Sequence, residues 1–515
     1  MSTMRIALIT TRAAKEIVEA VVKNIRDPQV KVIVLNNVPI AALATTRDVV
    51  TGLKSKLKEL SNVDLIIIPG LVRGSAKVIS DEFKIETIKG TIYAGDIPLL
   101  LDFIKKGIKF STDEPADKII GNYIRSMYES RLNEYLRTLK PSFKIKNVAF
   151  VKNPPPLNLF LEITVKDELL HRINEYKRRI LENKYQGIII GCSVDACNEL
   201  VIEKLINKFK LGDDVLLGID APSITLPKLI KRFHKDIDII MNISLNLLTD
   251  MNKEVTAYMN DKVVVIPLDV DNEVLSNVEE IIYRVEALGI DKIVIDVPLR
   301  PPMLGLSKSL CRYAQVRSKI NNPMLMGLSN VYELIDVDCH GVIALLEALA
   351  FELGVSNLLL TEESTKARGC IEEGSRAREM MYRAFLRRSP PIDLGIDMLI
   401  IKSKKLEIVR PPRIEHGEII EVRDFIPPHL DREYYVKIYV DHDNNEIVVD
   451  VYNALSNTIV KRFKGTNALS LGRIIVKSLK LSNEHVLYLG YELSKAEIAL
   501  KLGKNYIQDE PLIKL

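Results

Sequence analysis

Residues 187–220, GIIIGCSVDACNELVIEKLINKFKLGDDVLLGID, decide the fold. Two short apolar runs, GIIIG at 187–191 and VLLGID at 215–220, have the length of buried strands. The stretch between them can hold one helix and two loops, so the two strands are expected to run parallel in one sheet. The segment therefore predicts a strand, a crossover helix and a second parallel strand.

The same unit recurs along the middle of the chain. Eight such units in about 240 residues are typical of a (β/α)8 barrel. We therefore predict an α/β fold with a central (β/α)8 TIM barrel at residues 145–395. The eight strand candidates begin at least 22 residues apart, at 159–165, 187–191, 215–220, 237–244, 262–269, 292–298, 323–330 and 357–364.

Two further domains are predicted beside the barrel. Residues 1–140 alternate strand and helix patterns and predict an N-terminal α/β domain with a small parallel sheet, whose role the sequence does not define. Residues 396–515 contain YYVKIYVDHDNNEIVVDVYN, in which two alternating strands flank a turn sequence typical of a β-hairpin. A C-terminal α+β domain is therefore expected.

The bulk composition excludes several classes of protein. With 47% hydrophobic and 27% charged residues, the chain is predicted to be globular. A net charge of +4 and 6% aromatic residues, with no tryptophan, give no indication of a nucleic-acid partner. No apolar stretch reaches about 18 residues and no signal-peptide pattern is present, so no membrane association is expected.

The five cysteines are too few and too scattered for a disulfide framework. A cytoplasmic location is therefore expected. Cys192, at the end of a predicted strand, is interpreted as a buried and inert thiol. The histidines lack metal-ligand spacing, so no protein-bound metal site is predicted.

Four polar side chains lie at the ends of predicted barrel strands. They are Asp220 in strand three, Asn242 in strand four, Asp296 in strand six and Asn330 in strand seven. The carboxyl ends of barrel strands form the active-site face, so these side chains are expected at one cavity mouth. Carboxylates accept paired hydrogen bonds and carboxamides donate and accept, which suits the edges of a pterin ring. Each residue alone is also a common helix cap, and that is the alternative interpretation.

The segments LLGIDAPS, IIMNISL, IVIDVPL and MGLSNVYEL resemble the pterin-binding barrel superfamily, which includes dihydropteroate synthases and methyltetrahydrofolate methyltransferases. The resemblance implies that Asp220, Asn242 and Asp296 bind the pterin. The run GLSNV at 327–331 is similar to the methyltransferase motif, which implies that Asn330 lies near pterin N5. Asn330 and Asp220 are then the catalytic candidates. The whole chain resembles archaeal dihydropteroate synthase-related proteins.

The sequence also departs from the synthases. It lacks their Asn after strand one, their strand-seven lysine and their Arg-x-His at strand eight, which hold pyrophosphate or contact pterin and arylamine. Arg300, Lys366 and Arg368 are candidate substitutes for binding an anionic group, although such side chains are usually solvated. Glu362 and Glu363, at the end of strand eight, are candidate acids or bases.

The resemblance leaves two chemistries open for a reduced-pterin enzyme of folate or tetrahydromethanopterin metabolism. A dihydropteroate synthase-like enzyme joins a pterin diphosphate to an arylamine, with Mg²⁺ stabilising the departing charge. A methyltransferase passes the N5 methyl group to a corrinoid or another acceptor once N5 is protonated.

Two other interpretations stand beside these chemistries. One is a non-catalytic pterin carrier or assembly subunit, and the other is an enzyme with a different substrate on the same fold. The expected partners are the small-molecule pterin and either a second copy in a homodimer or a corrinoid or other partner protein.

Overall fold

The computed structural model describes residues 4–92, 94–166, 169–193, 195, 197–268, 278–392, 394–403 and 418–513. Contacts divide the chain into two compact units, Met1–Lys140 with Met380–Asp397, and Pro141–Glu379 with Met398–Leu515. The predicted boundaries at 140, 145, 395 and 396 stay predictions. Within the described ranges, no helix is both long and apolar enough to cross a bilayer.

The first unit contains the predicted parallel sheet, in the strand order β2-β1-β3-β4. Its strands are apolar on both faces, because helices pack on both sides of a parallel sheet. Ala7 and Ile9 of the first strand join one core, and Ile6 and Leu8 join the other. The strands are β1 Arg5–Thr11, β2 Gln29–Leu35, β3 Leu65–Ile68 and β4 Glu86–Lys89, and the helices are α1 Lys15–Val22, α2 Thr46–Lys54, α3 Lys77–Phe83, α4 Ile97–Lys105 and α5 Ala116–Thr138.

The second unit begins with a short antiparallel hairpin and then forms a closed barrel of eight parallel strands, as predicted. The hairpin strands are β5 Phe143–Ile145 and β6 Val148–Phe150. The barrel strands are β7 Asn158–Thr164, β8 Gly187–Gly191, β9 Leu216–Asp220, β10 Ile239–Ile240, β11 Val263–Pro267, β12 Ile293–Asp296, β13 Met324–Gly327 and β14 Asn357–Thr361. The last strand pairs in parallel with the first, which closes the barrel.

Helices follow the barrel strands and supply the outer layer. They are α6 Leu169–Glu182, α7 Glu199–Lys208, α8 Leu226–Phe233, α9 Leu245–Asp250, α10 Lys253–Ala257, α11 Val278–Glu286, α12 Leu306–Lys319, α13 Ser329–Tyr332, α14 Cys339–Glu352 and α15 Cys370–Arg387.

The β5–β6 hairpin fills the amino-terminal end of the barrel. Phe150 stacks on Phe143 at 4.9 Å and on Phe160 of β7 at 6.2 Å between ring centroids. These rings join an apolar cluster that includes Val265, Val294 and other interior side chains of the barrel. Lys146, in the hairpin turn, donates to Asp238 at 2.8 Å, just before β10. The open end of the barrel is therefore the carboxyl end of its strands.

The C-terminal part of this unit is a three-stranded antiparallel sheet with two helices, which confirms the predicted hairpin and α+β fold. The strands, in spatial order, are β15 Tyr434–Asp441, β16 Glu446–Asn453 and β17 Thr458–Gly465, followed by α16 Ala468–Ser478 and α17 Asn483–Leu502. Val449 and Leu493 lie in the core between the sheet and the helices. Gln508 accepts from Ile438 N–H at 3.0 Å and donates to the Val436 carbonyl at 3.1 Å, so the chain end covers the outer edge of β15.

Candidate functional site

The inward-facing side chains of the barrel become polar at its open end. Phe160, Val294 and Leu359 belong to the apolar interior cluster. Since side chains alternate along a strand, the positions two residues later face the same interior, one layer nearer the carboxyl end. Those positions are Glu162 of β7, Asp296 of β12 and Thr361 of β14. The mouth is therefore lined by polar groups above an apolar floor.

Asp220 and Asn242, two of the predicted site residues, form a hydrogen-bonded pair at this mouth. The Asn242 amide nitrogen donates to Asp220 Oδ2 at 2.6 Å. Asn242 has a φ of 55°, a left-handed backbone conformation that asparagine tolerates better than most residues. Burial raises the pKa of Asp220, while the hydrogen bonds from Asn242 and the Ala221 backbone oppose the rise. The amide thus holds the carboxylate in one orientation.

Asp296 is the most buried acid of the mouth, with 8% of its surface exposed. Its Oδ1 atom is inaccessible to solvent and has no hydrogen-bond partner among the described residues. Burial and the Asp220 charge raise its pKa to about 7, and the nearby Tyr313 hydroxyl, which donates to the Leu325 carbonyl at 2.7 Å, limits the rise. A buried carboxyl oxygen without a donor is costly. A ligand N–H at this point would remove that cost.

Glu162 is a third acid at the mouth, which the sequence analysis did not identify. Burial, together with the nearby Asp220 and Glu363 charges, raises its pKa to about 7. On the neighbouring strand, a Cβ at Gly191 would clash with the Glu162 carboxyl group. Glycine at 191 therefore makes room for this side chain.

Open space lies beside these acids. A Cβ built on Gly327 of β13 would meet no atom within 4 Å. Thr361 is 8% exposed, and its Oγ1 has no hydrogen-bond partner in the described part of the chain. Because Gly327 and Thr361 lie on adjacent paired strands, the mouth has unfilled volume and unsatisfied polar atoms on the same side.

Asn330 lies in the short helix α13, directly after β13. It is exposed, and its amide donates to the Leu299 carbonyl at 3.1 Å, in the loop after β12. The structure therefore places it at the carboxyl rim, between the ends of strands six and seven. Its position near pterin N5 stays a prediction.

The candidate anion-binding side chains have protein partners. Lys366 Nζ donates to the Ile335 carbonyl and to Asp336, each at 2.9 Å. Arg368 donates to the His442 carbonyl at 2.9 Å, in the turn between β15 and β16. The Arg300 backbone N–H donates to Ser309 Oγ at 2.9 Å. Their predicted role in holding an anionic group stays a prediction.

Of the two strand-eight acids, Glu362 is held by a structural ion pair. Arg179 of α6 donates to its two oxygens at 2.8 and 2.9 Å and also binds Glu372. The other acid, Glu363, accepts from Lys166 at 2.5 Å. Arg179 therefore joins α6 to the end of β14 through Glu362 and to α15 through Glu372.

The interpretation of Cys192 as an inert thiol is wrong, because Cys192 and Cys197 form a disulfide. The bridge spans the loop after β8, and the Cys192 backbone N–H donates to the Asp220 carbonyl at 2.9 Å. Cysteines five residues apart do not form a known redox motif such as Cys-x-x-Cys. The spacing of Cys192 and Cys197 therefore did not indicate a disulfide. The bridge closes the loop after β8, and the Cys192–Asp220 backbone hydrogen bond joins the ends of β8 and β9.

The described residues contain no group of three or more His, Cys, Asp or Glu side chains arranged to hold a metal ion. The carboxyl groups of the mouth thus give Mg²⁺ no ligand set of their own. The Mg²⁺ expected for the synthase chemistry stays a prediction.

Residues 430–509 match the family model described as PterinBD-DUF4346. This segment covers β15 to α17 and the chain end that packs on them. Together with the closed barrel, it confirms the predicted resemblance to dihydropteroate synthase-like proteins.

Two curated relatives are also similar to this chain. An uncharacterized protein of Methanocaldococcus jannaschii is 29% identical over 540 residues, which cover 98% of each chain. The uncharacterized protein ycf91 of Pyropia yezoensis is 34% identical over 98 residues, 18% of this chain and 84% of ycf91. A small separate protein thus has a sequence similar to one short portion of this chain.

The solved structures that are similar to this chain have low sequence identity to it. The dihydropteroate synthase of Yersinia pestis is 16% identical with a TM-score of 0.36, covering 48% of this chain and 99% of that one. A truncated 3-deoxy-D-arabino-heptulosonate 7-phosphate synthase of Thermotoga maritima is 14% identical with a TM-score of 0.36, covering 49% and 93%. At these values the likeness has no weight for function.

Proposed function

We propose that the barrel binds a reduced pterin at its open end, through Asp296, Asp220 and Asn242. The observation that carries this proposal is the buried Asp296 Oδ1 atom, which has no donor among the described residues. A pterin presents a 2-amino group beside a ring N–H, and these two donors match one carboxylate. Hydrogen bonds to a charged group contribute about 1.5–3 kcal/mol each.

The neighbouring pair completes the recognition of the ring. Asn242 donates to one oxygen of Asp220 and keeps the carboxylate aligned. An amide can also accept from a ring N–H or donate to a ring carbonyl. A ligand that lacks these groups would leave buried polar atoms unpaired, so the site would discriminate against it.

For the chemistry, we infer group transfer by a dihydropteroate synthase-like pterin enzyme, and Glu162 favours transfer of a pterin-borne methyl group. A general acid works best when its pKa lies near the working pH, and the pKa of Glu162 is raised to about 7. In this step the N5–CH3 bond breaks, its electron pair stays on N5, and the proton from Glu162 neutralises that nitrogen. The methyl group passes to a nucleophilic acceptor.

The alternative is the synthase chemistry, in which an arylamine displaces pyrophosphate. That reaction needs cations beside the departing charge. Lys366 and Arg368 are already bound to protein oxygens, which supports methyl transfer over pyrophosphate displacement. The methyl acceptor, a corrinoid or another nucleophile, stays a prediction.

Titration of the purified protein with dihydropterin, methyl-tetrahydrofolate and methyl-tetrahydromethanopterin tests the ligand. We expect at least one to bind, and Asp296→Asn to weaken that binding at least tenfold. Asp291→Asn is the matched control, because this exposed acid lies just before the same strand β12. Absence of binding to all three compounds would overturn the proposal, and so would unchanged affinity in Asp296→Asn.

Turnover assays then separate the chemistries. Methyl loss to cob(I)alamin supports the methyltransferase, and pyrophosphate release with an arylamine supports the synthase. Tight binding without either reaction favours the pterin carrier.

A further inference from the structure

An apolar segment lies uncovered just before the C-terminal sheet. Residues 418–426, EIIEVRDFI, form no helix or strand. Exposed apolar surface that is this contiguous marks an interaction site in a folded protein. The large apolar side chains are all at least 70% exposed, at Ile419 73%, Ile420 76%, Val422 70%, Phe425 85% and Ile426 74%.

The same sheet has one uncovered edge. Gln508 hydrogen-bonds the outer edge of β15, whereas β17 pairs only with β16 within the described chain. The edge strand is eight residues long, and its Ile459 and Val460 are 46% and 45% exposed. An exposed edge strand has unpaired backbone N–H and C=O groups that a further strand can bind.

The two surfaces also have opposite charge. Residues 451–483, which contain β17 and α16, include no Asp or Glu and six basic residues, at Lys461, Arg462, Lys464, Arg473, Lys477 and Lys480. Arg462 and Lys464 are paired with Asp450 and Glu446 of the neighbouring strand β16, so the basic charge for a partner comes from the other four. Residues 418–426 carry three acids and one arginine. Charge complementarity of this kind guides partner choice and register.

The end of the apolar segment is fixed to the fold. The His429 backbone N–H donates to Glu484 at 2.5 Å, and Asp431 accepts from the Ser482 backbone N–H at 2.8 Å and from His485 at 3.0 Å. The segment therefore projects from the amino-terminal end of α17. Among the described residues, neither the segment nor the β17 edge is covered, and the two have complementary charge.

We propose that residues 418–426 of one copy add as a strand to β17 of a second copy, and that the exchange is reciprocal. Each new strand pair would satisfy backbone groups of the edge and bury Ile459 and Val460 against the apolar segment. Two identical exchanges give a closed dimer with twofold symmetry rather than an open chain of molecules.

Sedimentation of the full-length protein over a range of concentrations tests the proposal. We expect a dimer, and at least tenfold weaker dimerisation in Val422→Asp, which alters the segment, and in Val460→Asp, which alters the edge. Leu455→Asp is the matched control, because this apolar side chain is 96% exposed in the turn between β16 and β17. A monomeric wild-type protein, or a dimer that neither variant weakens, would overturn the proposal.

Hydrogen exchange distinguishes the second copy from the protein's own segment. We expect the β17 backbone amides to exchange more slowly as the dimer forms, and Val422→Asp to abolish this protection. Protection of β17 that is already complete in the monomer would overturn exchange between copies. Circular dichroism of each variant shows whether the fold is retained.

Discussion

Asn242 donates a hydrogen bond to Asp220 at 2.6 Å from a left-handed backbone conformation. The left-handed conformation has a free-energy cost for most residues, and this cost is small for glycine. Position 242 therefore needs a residue that tolerates a positive φ and that also donates a hydrogen bond to Asp220. Substitution can separate these two requirements, because glycine tolerates the positive φ but has no side chain to donate the hydrogen bond.

We expect Asn242→Gly to keep the free energy of unfolding within about 1 kcal/mol of wild type and to weaken pterin binding roughly tenfold. Asn242→Ala should weaken binding as much and also destabilise the fold, because alanine is strained at a φ of 55°. Calorimetric titration and urea unfolding measure the two effects. Equal stability of the two variants would contradict the explanation.

Asp296→Asn should stabilise the free protein at alkaline pH. The folded-state pKa of about 7 lies above the usual value near 4, so the folded protein retains a proton that the unfolded chain releases. Wild-type stability therefore falls as the pH rises from about 4 to about 7, by up to about 4 kcal/mol. The asparagine side chain does not ionise, so the Asp296→Asn variant should not lose stability in this way. In thermal unfolding at pH 4.5 and pH 8, the variant should have a higher thermal midpoint than wild type only at pH 8.

Glu162→Gln should remove the acid that protonates the ligand. Since the pKa of Glu162 is raised to about 7, wild-type methyl transfer should decline above pH 7 as this group ionises. The variant should be slower by about 10²–10⁴-fold and should lack this decline. Rate measurements from pH 5.5 to 9 give the comparison. Glu254→Gln, an exposed acid of α10, serves as the control.

Gly327→Val should obstruct ligand binding without disturbing the free fold. The open space beside Gly327 can accept a side chain, and the residue does not have a positive φ. We expect a thermal midpoint within a few degrees of wild type and an affinity lower by at least tenfold. By contrast, Gly191→Val should destabilise the protein, because a Cβ there clashes with Glu162. Equal affinity in Gly327→Val would place the ligand elsewhere.

The sequence predicted the barrel because the apolar strand runs recur at strand-helix-strand spacing. It also placed Asp220, Asn242 and Asp296, since polar residues that end apolar runs stand out. Glu162 was missed because it lies inside a strand, where a single acid in an apolar run gives no sign of facing inward. Only the structure shows that Phe160, two residues earlier, faces the barrel interior, and this register places Glu162 inward as well.

Hydrogen bonds between residues far apart in sequence could not be predicted either. Nothing in the local pattern shows that Lys366 binds the Ile335 carbonyl or that Arg368 reaches His442, 74 residues away. The same holds for Arg179, whose ion pair with Glu362 joins residues 183 apart in sequence. Whether a basic side chain remains available for a ligand depends on the folded chain, and sequence alone left that open.

The aromatic side chains of the β5–β6 hairpin affect how a ligand could reach the barrel interior. Phe150 stacks between Phe143 and Phe160, so these rings fill the amino-terminal end among the residues that the structure describes. Under the proposed function, the pterin and its reaction partner would both enter and leave through the carboxyl end of the barrel. We expect the pterin to enter first and to leave last, with the partner exchanging over it.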